Sequence, residues 1–259
     1  MKKINCVILD WAGTTVDYGS FAPVDAFITA FKSVGLSPTL EETREPMGLA
    51  KKTHIELMMK GERLSAMWKE ISGREYSMED IEDIYRNFES ALFKGLSIFT
   101  DPLPGVLDTV DKLRSMGMSI GSTTGYTKAM MDVVVPEAKK KGYSPDCMIC
   151  PDDTGGTGRP APYMLWQNVE KLGIPSINEV IKVGDTAADM QEGRNAGCLS
   201  VGVIKGSSML GLSEGELLKH SDSKREKLFS QVKRKYKKAG ADYVIEDITV
   251  LPELIKSIK

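Results

Sequence analysis

Short apolar runs that end in glycine or aspartate recur along the chain: "INCVILD" (4–10), "MSIGSTTG" (118–125), "DCMICPDD" (146–153), "EVIKVGD" (179–185), "CLSVGVI" (198–204) and "DYVIED" (242–247). Their continuity, in place of apolar–polar alternation, predicts strands buried on both faces. Helix-like stretches lie between most of them, among them "GVLDTVDKLRSMG" (105–117), "APYMLWQNVEKLG" (161–173) and "AADMQEGRNAG" (187–197). Several close with glycine, which readily takes the left-handed turn after a helix. Strands alternating with helices predict an α/β fold, a Rossmann-like parallel sheet covered by helices. Such sheets bind ligands beyond the carboxyl ends of their strands. Asp10, Thr124, Asp152, Asp153 and Asp185 all fall at such ends.

The alternation stops between residues 20 and 98, where the runs are helical: "PVDAFITAFKSVG" (23–35), "KKTHIELMMKGERLSAMWKEISG" (51–73) and "SMEDIEDIYRNFESALFKG" (77–95). This predicts a helical cap domain over 20–98, inserted into a core domain made of 1–19 and 99–259. Hinges fall near "DYGSFAP" (17–23) and "SIFTDPLPG" (97–105), the second rich in Pro and Gly. A small mobile lid above strand ends is a common way to exclude water. Farther on, "LLKHSDSKREKLFSQVKRKYKKAG" (217–240) predicts a basic helix with Leu228, Val232 and Tyr236 packed inward and its charges in solvent.

Composition narrows the function classes. A chain of 259 residues suits one large α/β domain or a core with an insert. The formal net charge of −2 gives no pull toward nucleic acid or an anionic membrane, and no apolar run approaches a membrane span. "MKKINCVILDWAG" is basic then apolar, but its apolar part is short and ends in an acid, which argues against a signal peptide and for the cytoplasm. The four cysteines are scattered and make no disulfide framework. "CMIC" (147–150) has the spacing of a redox or zinc pair. In a strand, however, positions three apart face opposite ways, and the only histidines are His54 and His220. Ordinary buried thiols are the simpler reading.

The strand ends carry the candidate chemistry. Asp10 is followed by "WAGTT", whose small residues, Gly13 among them, let backbone amides approach an anion. "STTG" offers the Thr124 hydroxyl and the Gly125 amide, a cradle for phosphate. "GGTGRP" (155–160) delivers Arg159, whose fixed charge can hold phosphate oxygens. "VGDTAADM" places Asp185 and Asp189 after a strand, four apart and on one face of a helix start. With Asp10 they suit Mg²⁺, which prefers oxygen ligands. Any one of these acids could be a helix cap; together and in order they are hard to explain that way.

This constellation resembles the haloacid dehalogenase superfamily: Asp-x-x-Gly-Thr, then Ser/Thr, then a basic residue, then Gly-Asp with a further Asp. The resemblance covers the whole chain, helical cap included. It implies that Asp10 is a nucleophile forming an aspartyl-phosphate. It also implies that Asp10, Asp185 and the backbone carbonyl of Ala12 bind Mg²⁺, that Thr124 and Arg159 bind the phosphoryl group, and that Asp189 supports the metal or Arg159.

One position departs from the superfamily's phosphatases. They carry a second Asp two places after the nucleophile, as general acid and base; here Ala12 stands there. A carbon leaving group does without that acid if an electron sink stabilises it, and a protonated lysine imine is such a sink. "EPMGLAKKTHIELMM" (45–59) supplies the lysine. Lys51 and His54 are three apart on one helix face, while Lys52 lies about 100° away. Burial beneath the lid near Met47 would lower the pKa of Lys51, and His54 would titrate in the range that shuttles the protons of imine formation.

"DWAGTTVD", "EPMGLAKKTHI", "IGSTTGYT", "PDD…GRPAP", "IKVGDT" and "EGRNAG" together resemble the phosphonoacetaldehyde hydrolase (phosphonatase) family. The resemblance implies hydrolysis of phosphonoacetaldehyde to acetaldehyde and phosphate with Mg²⁺, an imine on Lys51, a small-molecule phosphonate as substrate, and phosphonate degradation as the setting. It also suggests a homodimer through cap helices carrying Phe27 and Phe31. Tyr126 matches the family pattern without an assigned role. Two other readings stand beside it. A phosphate-ester phosphatase or mutase would want an Asp at position 12. A non-catalytic phosphate-binding protein would tolerate loss of Lys51.

Overall fold

The computed structural model describes residues 3–258. The first apolar run becomes β1 (Cys6–Leu9), buried throughout. Val7 and Leu9 pack into the main apolar cluster, while Cys6 and Ile8 join Leu165, Val180 and Ala196 on the other face. Two covered faces are what an uninterrupted apolar strand requires. Five helices follow: α1 (Phe21–Ser33), α2 (Leu40–Arg44), α3 (Lys51–Lys60), α4 (Glu62–Ser72) and α5 (Met78–Gly95). The chain then runs through α6 (Val106–Ser115), β2 (Ser119–Thr123), α7 (Lys128–Lys140), β3 (Cys147–Ile149), α8 (Tyr163–Lys171), β4 (Val180–Gly184), α9 (Ala187–Ala196) and β5 (Leu199–Val203). It ends with α10 (Glu214–Lys219), α11 (Asp222–Ala239), β6 (Tyr243–Ile245) and α12 (Leu251–Ser257).

The strands form one parallel sheet in the order β3-β2-β1-β4-β5-β6, the α/β architecture expected from the sequence. Val7 of central β1 faces Ile120 on one side and Ile181 on the other. The chain winds outward through β2 and β3, then returns to the far side of β1 at β4. This reversal opens a crevice beyond the carboxyl ends of β1 and β4, where Asp10 and Asp185 follow directly on their strands. The Asp10 amide donates to the Val183 carbonyl (3.0 Å), tying the two ends together. Helices α1–α5 occupy the segment where the strand pattern stops. The chain leaves the sheet and returns at adjacent points: Val16 bridges to Pro102, and the Leu103 amide donates to the Thr15 carbonyl (2.9 Å).

Local structure departs from expectation in several places. The helix expected over 51–73 is two helices, because Gly61 is extended (φ −61°, ψ 132°), ending α3 and starting α4. A capping box between Thr39 and Glu42 starts the short α2, which no apolar periodicity marked. The basic run breaks after α10, and Ser221 caps α11 by accepting from the Lys224 amide. Val232 and Tyr236 are buried in it and Leu228 is half-buried. The strand expected to reach Asp153 stops at Ile149. Asp152 accepts from the Lys128 amide and Asp153 from the Cys150 amide, so both acids act as caps. Phe27 and Phe31 are no dimer surface: both are fully buried, with Phe27 stacked between the rings of His54 (3.9 Å) and Phe88 (4.2 Å). No helix among the described residues is long and apolar enough to cross a membrane.

Candidate active site

The loop after β1 must turn sharply against β4, and its small residues allow it. Gly13 has φ 87°, and a Cβ there would collide with Asp185 Oδ2. Only glycine meets both demands. The Asp185 carboxylate accepts from the Ser208 amide (2.7 Å) and, at 3.5 Å, from the Thr14 hydroxyl. Burial, with Asp10 and Asp189 close by, pushes its pKa well above the ordinary carboxylate range. Oxygens of Asp10, Asp185 and Asp189 lie within 4.8 Å of one another.

Asp189 is already engaged. Its Oδ1 pairs with Arg159 Nη1 (3.0 Å) and Lys182 Nζ (2.9 Å), and its Oδ2 accepts from the amide and hydroxyl of Thr186. Burial opposes its charge, but Arg159 and Lys182 outweigh that and hold it below the usual range. The expectation that Asp189 supports Arg159 therefore matches its contacts. Asp185 and the Asp10 oxygen that Arg159 does not hold are the acceptors left to face a cation. Two crowded buried carboxylates, one held far above its normal pKa, fit a hard divalent ion, whose charge would reverse that shift.

Arg159 reaches the site from its glycine-rich loop and is buried. Its Nη2 donates to Asp10 Oδ1 (2.6 Å) and Thr123 Oγ1 (2.7 Å), and its Nε to Glu192 Oε2 (3.1 Å). Lys182 also donates to Thr123 Oγ1 (2.7 Å) and pairs with Glu192 (3.3 Å). This network of Thr123, Lys182 and Glu192 was missed in the sequence. The signal was present: Lys182 is a charge inside the apolar run "VIKVG", a position a lysine occupies only when paired.

From the helical segment, α3 lowers Lys51 toward the same point. Its side chain is buried (5 % exposed), with Nζ 4.9 Å from the Tyr126 ring centre and 5.8 Å from that of Phe27. Burial pushes its pKa down to about 8, against the pull of Asp10. That drop from an ordinary lysine value raises the neutral amine at pH 7 about three-hundredfold. Lys52, a hundred degrees around the helix, instead pairs with Glu82 near the surface.

His54 Nε2 lies 2.9 Å from the Thr43 carbonyl. A carbonyl only accepts, so Nε2 carries the hydrogen and buried Nδ1 is a lone pair, without a partner among the described residues. Burial and then Lys51 hold the ring's pKa well below its normal value. The expectation that His54 titrates near neutrality is thus overturned: it is a neutral imidazole.

Asp10, Ala12, Met47, Gly48, Lys51, Thr124, Gly125, Tyr126, Arg159 and Asp185 surround one cavity of about 20 Å³, with Ser20, Pro23 and Thr186 completing the wall. The three completing residues had not been singled out. Thr124 Oγ1 accepts from the Tyr126 amide (3.1 Å), which turns the loop around the cavity. Two glycines let the helical segment sit this close. A Cβ on Gly48 would collide with the Thr186 hydroxyl, and one on Gly125 would stand 2.6 Å from the Leu49 carbonyl. Of the residues chosen from the sequence, Asp10, Ala12, Met47, Lys51, Thr124, Gly125, Arg159 and Asp185 line this cavity, whereas Gly13 and His54 lie behind its wall, Gly13 against Asp185 and His54 against Phe27.

The arrangement brings together a buried carboxylate at Asp10, the buried Arg159 guanidinium, acids close enough to hold a cation and a desolvated Lys51. Residues 4–197 match the family model for haloacid dehalogenase-like hydrolases, and 156–250 match a second model of HAD-like hydrolases. A phosphonoacetaldehyde hydrolase of Bacteroides fragilis is 48% identical over 258 residues, 100% of this chain and 98% of that one. One from Lysinibacillus sphaericus is 46% identical over 99% of this chain and 95% of its own. A bifunctional phosphonoacetaldehyde hydrolase/aminoethylphosphonate transaminase of Clostridioides difficile is 45% identical over 100% of this chain, which spans 40% of that protein. Among solved structures, a phosphonoacetaldehyde hydrolase-like protein of Oleispira antarctica superposes with a TM-score of 0.94 at 34% identity, covering 98% of this chain and 91% of that one.

Proposed function

This chain belongs to the phosphonoacetaldehyde hydrolases among the haloacid dehalogenase-like hydrolases, enzymes of the carbon–phosphorus bond, and from that premise we propose a mechanism through an imine on Lys51 and an aspartyl-phosphate on Asp10. The neutral Lys51 amine adds to the aldehyde of phosphonoacetaldehyde, and loss of water, with one proton taken up from solvent, leaves a protonated imine. His54, held as a neutral imidazole beneath Phe27, keeps positive charge away from Lys51, and water in the cavity carries the proton from nitrogen to oxygen during the addition. The phosphonate lies against Arg159, Thr124 and the backbone at Gly13 and Gly125, with Met47 over the carbon chain. One oxygen of Asp10 attacks phosphorus. The carbon–phosphorus bond breaks, its electron pair passes to carbon, and the imine nitrogen accepts the charge as an enamine forms.

Protonation at carbon and addition of water then release acetaldehyde and restore Lys51. A second water cleaves the aspartyl-phosphate to phosphate and Asp10. Ala12 is consistent with this chemistry because the departing carbon needs no proton at that position. Mg²⁺ held by Asp10, Asp185 and the Ala12 carbonyl would supply positive charge against the phosphoryl oxygens.

The observation that carries the proposal is Lys51, a buried lysine with its pKa lowered to about 8, lining the same cavity as Asp10 and Arg159. We treat residues 20–98 as a cap domain on a core of 1–19 and 99–259. A cavity of about 20 Å³ holds one water, so the substrate enters only when the cap lifts. Four free cysteines, three of them buried, support a reducing compartment such as the cytoplasm. Phosphonate degradation is the expected setting. A homodimer remains expected, through a surface other than Phe27 and Phe31.

Borohydride trapping with phosphonoacetaldehyde, followed by peptide mass mapping, tests the mechanism. A reduced two-carbon adduct on Lys51 is expected. Turnover with no adduct on any lysine would leave an ordinary phosphoryl-transfer protein with another acid.

A further inference from the structure

One cation outside the cavity ties the helical segment to the machinery within it. Arg44 ends α2 and its Nη1 donates to two carbonyls that belong to other parts of the fold: Gly19 (2.8 Å), where the chain enters α1, and Ser208 (3.0 Å), in the loop after β5. Its guanidinium carbon sits 5.3 Å from the centre of the Phe21 ring. Both acceptors lead to functional groups. The Ser208 amide donates to Asp185 Oδ2 (2.7 Å), so the residue that accepts from Arg44 also orients the carboxylate placed at the cation site. The Gly19 amide donates to the Gly206 carbonyl (2.7 Å), which joins the hinge to that same loop. On its own side, Arg44 follows Thr43, whose carbonyl fixes His54, and precedes the turn that presents Met47 and Gly48 to the cavity.

We propose that Arg44 is the latch that registers the cap on the core, a positioning residue that closes Lys51 and His54 over Asp10 while holding the Ser208 loop against Asp185. The inference rests on the function proposed above for Lys51 and Asp10. The physical basis is economy of contact. A guanidinium offers several donors in a rigid plane, so one side chain spans hinge, loop and cap, and these charge-assisted bonds form only when all three are in register. When the cap lifts to admit substrate, the Ser208 loop loses that support, and the cation site loosens along with the imine site. Opening and loss of catalytic geometry are then one event.

The test uses Arg44→Ala and Arg44→Lys in the full chain, with thermal melts to confirm folding. Hydrogen exchange of the substrate-free protein is read first. In Arg44→Ala, amides over 45–49 and 206–211 should exchange at least about tenfold faster while β1 and β4 stay protected, the effect of losing a charge-assisted bond. With phosphonoacetaldehyde, kcat/KM should fall at least about tenfold, borohydride trapping at Lys51 should slow in parallel, and added guanidinium should restore part of both. Arg44→Lys should fall between the two, and it carries the test if the alanine variant does not fold. Unchanged exchange in either segment, or parental turnover in Arg44→Ala, overturns the latch. If the parent protein itself does not turn over phosphonoacetaldehyde, the proposed function fails, and the exchange result still judges Arg44.

Discussion

Arg159 Nη2 stands 2.6 Å from Asp10 Oδ1, so the arginine that should hold the phosphonate covers the carboxylate that should attack it. The same nitrogen also donates to Thr123, and the other nitrogens of Arg159 are committed to Asp189 and Glu192. On the proposed function, an incoming phosphonate would take over one contact without the arginine having to travel. On the proposed mechanism, the ligand would itself uncover the carboxylate that attacks it.

Replacing Lys51 with Arg keeps the positive charge and removes the amine that can form an imine. Turnover of phosphonoacetaldehyde, followed by acetaldehyde release, should fall by on the order of 10³-fold or more, as when the member of a covalent machinery is deleted. Turnover near the parental rate would remove the imine from the mechanism.

Ala12→Asp places a third carboxylate on the wall of the cavity that holds Asp10 and Asp185. It would raise the Lys51 pKa by about a unit and cut the neutral amine about tenfold. Phosphonate cleavage should fall by at least that factor, and hydrolysis of p-nitrophenyl phosphate should stay poor. Full phosphonate activity in this variant would defeat the explanation offered for Ala12.

The pH dependence follows from burial. The Lys51 pKa is depressed to about 8, so its neutral form grows as pH rises toward 8 and levels off above it. The rate of borohydride trapping should rise between pH 6 and 8 and then flatten. A rise that continues to the ordinary lysine range would mean that Lys51 is not desolvated. Because the unfolded chain keeps its lysine proton to higher pH, this group's contribution to stability increases across pH 8 to 10.5, the window between the two values.

Gly125→Ala tests how closely the cap must sit. The added methyl carbon would stand 2.6 Å from the Leu49 carbonyl and push the cap outward by a fraction of an ångström. Such a displacement should cost about 10²-fold in kcat/KM. The melting temperature should stay near the parental value, because the contact lies between the cap and the core. A matching fall in melting temperature would assign the effect to misfolding.

Lys182→Met leaves Asp189 and Glu192 buried with Arg159 as their remaining cation. Breaking a buried pair of this kind should destabilise the fold by about 3–5 kcal/mol. Urea unfolding measures it. A loss under about 1 kcal/mol would show that Arg159 alone neutralises both acids.

Much of this protein is written in short-range pattern. Uninterrupted apolar runs force strands covered on both faces, and a parallel sheet puts the residues that follow them, Asp10 and Asp185, at one edge. Helical spacing alone puts Lys51 and His54 on one side of α3 and turns Lys52 away. The substitution at Ala12 is visible without any structure. Backbone periodicity and chain topology carry this information, and both are local or nearly so.

What the tertiary structure decided depends on burial by distant segments. His54 looked like a near-neutral titrating group until Phe27 and the Thr43 carbonyl enclosed it. Phe27 and Phe31 looked like surface until α5 covered them. Asp152 and Asp153 fall at a strand end by sequence, and the fold turns both into caps for nearby amides. Arg159 finds Asp10 across 149 positions and Arg44 finds Ser208 across 164. No periodicity encodes such pairs, because they arise only when folding removes water and leaves each charge to find its partner. The sequence singled out Asp10, Lys51 and the alanine at position 12, and packing determined the burial of Lys51 and His54 and the contacts that hold the site in place.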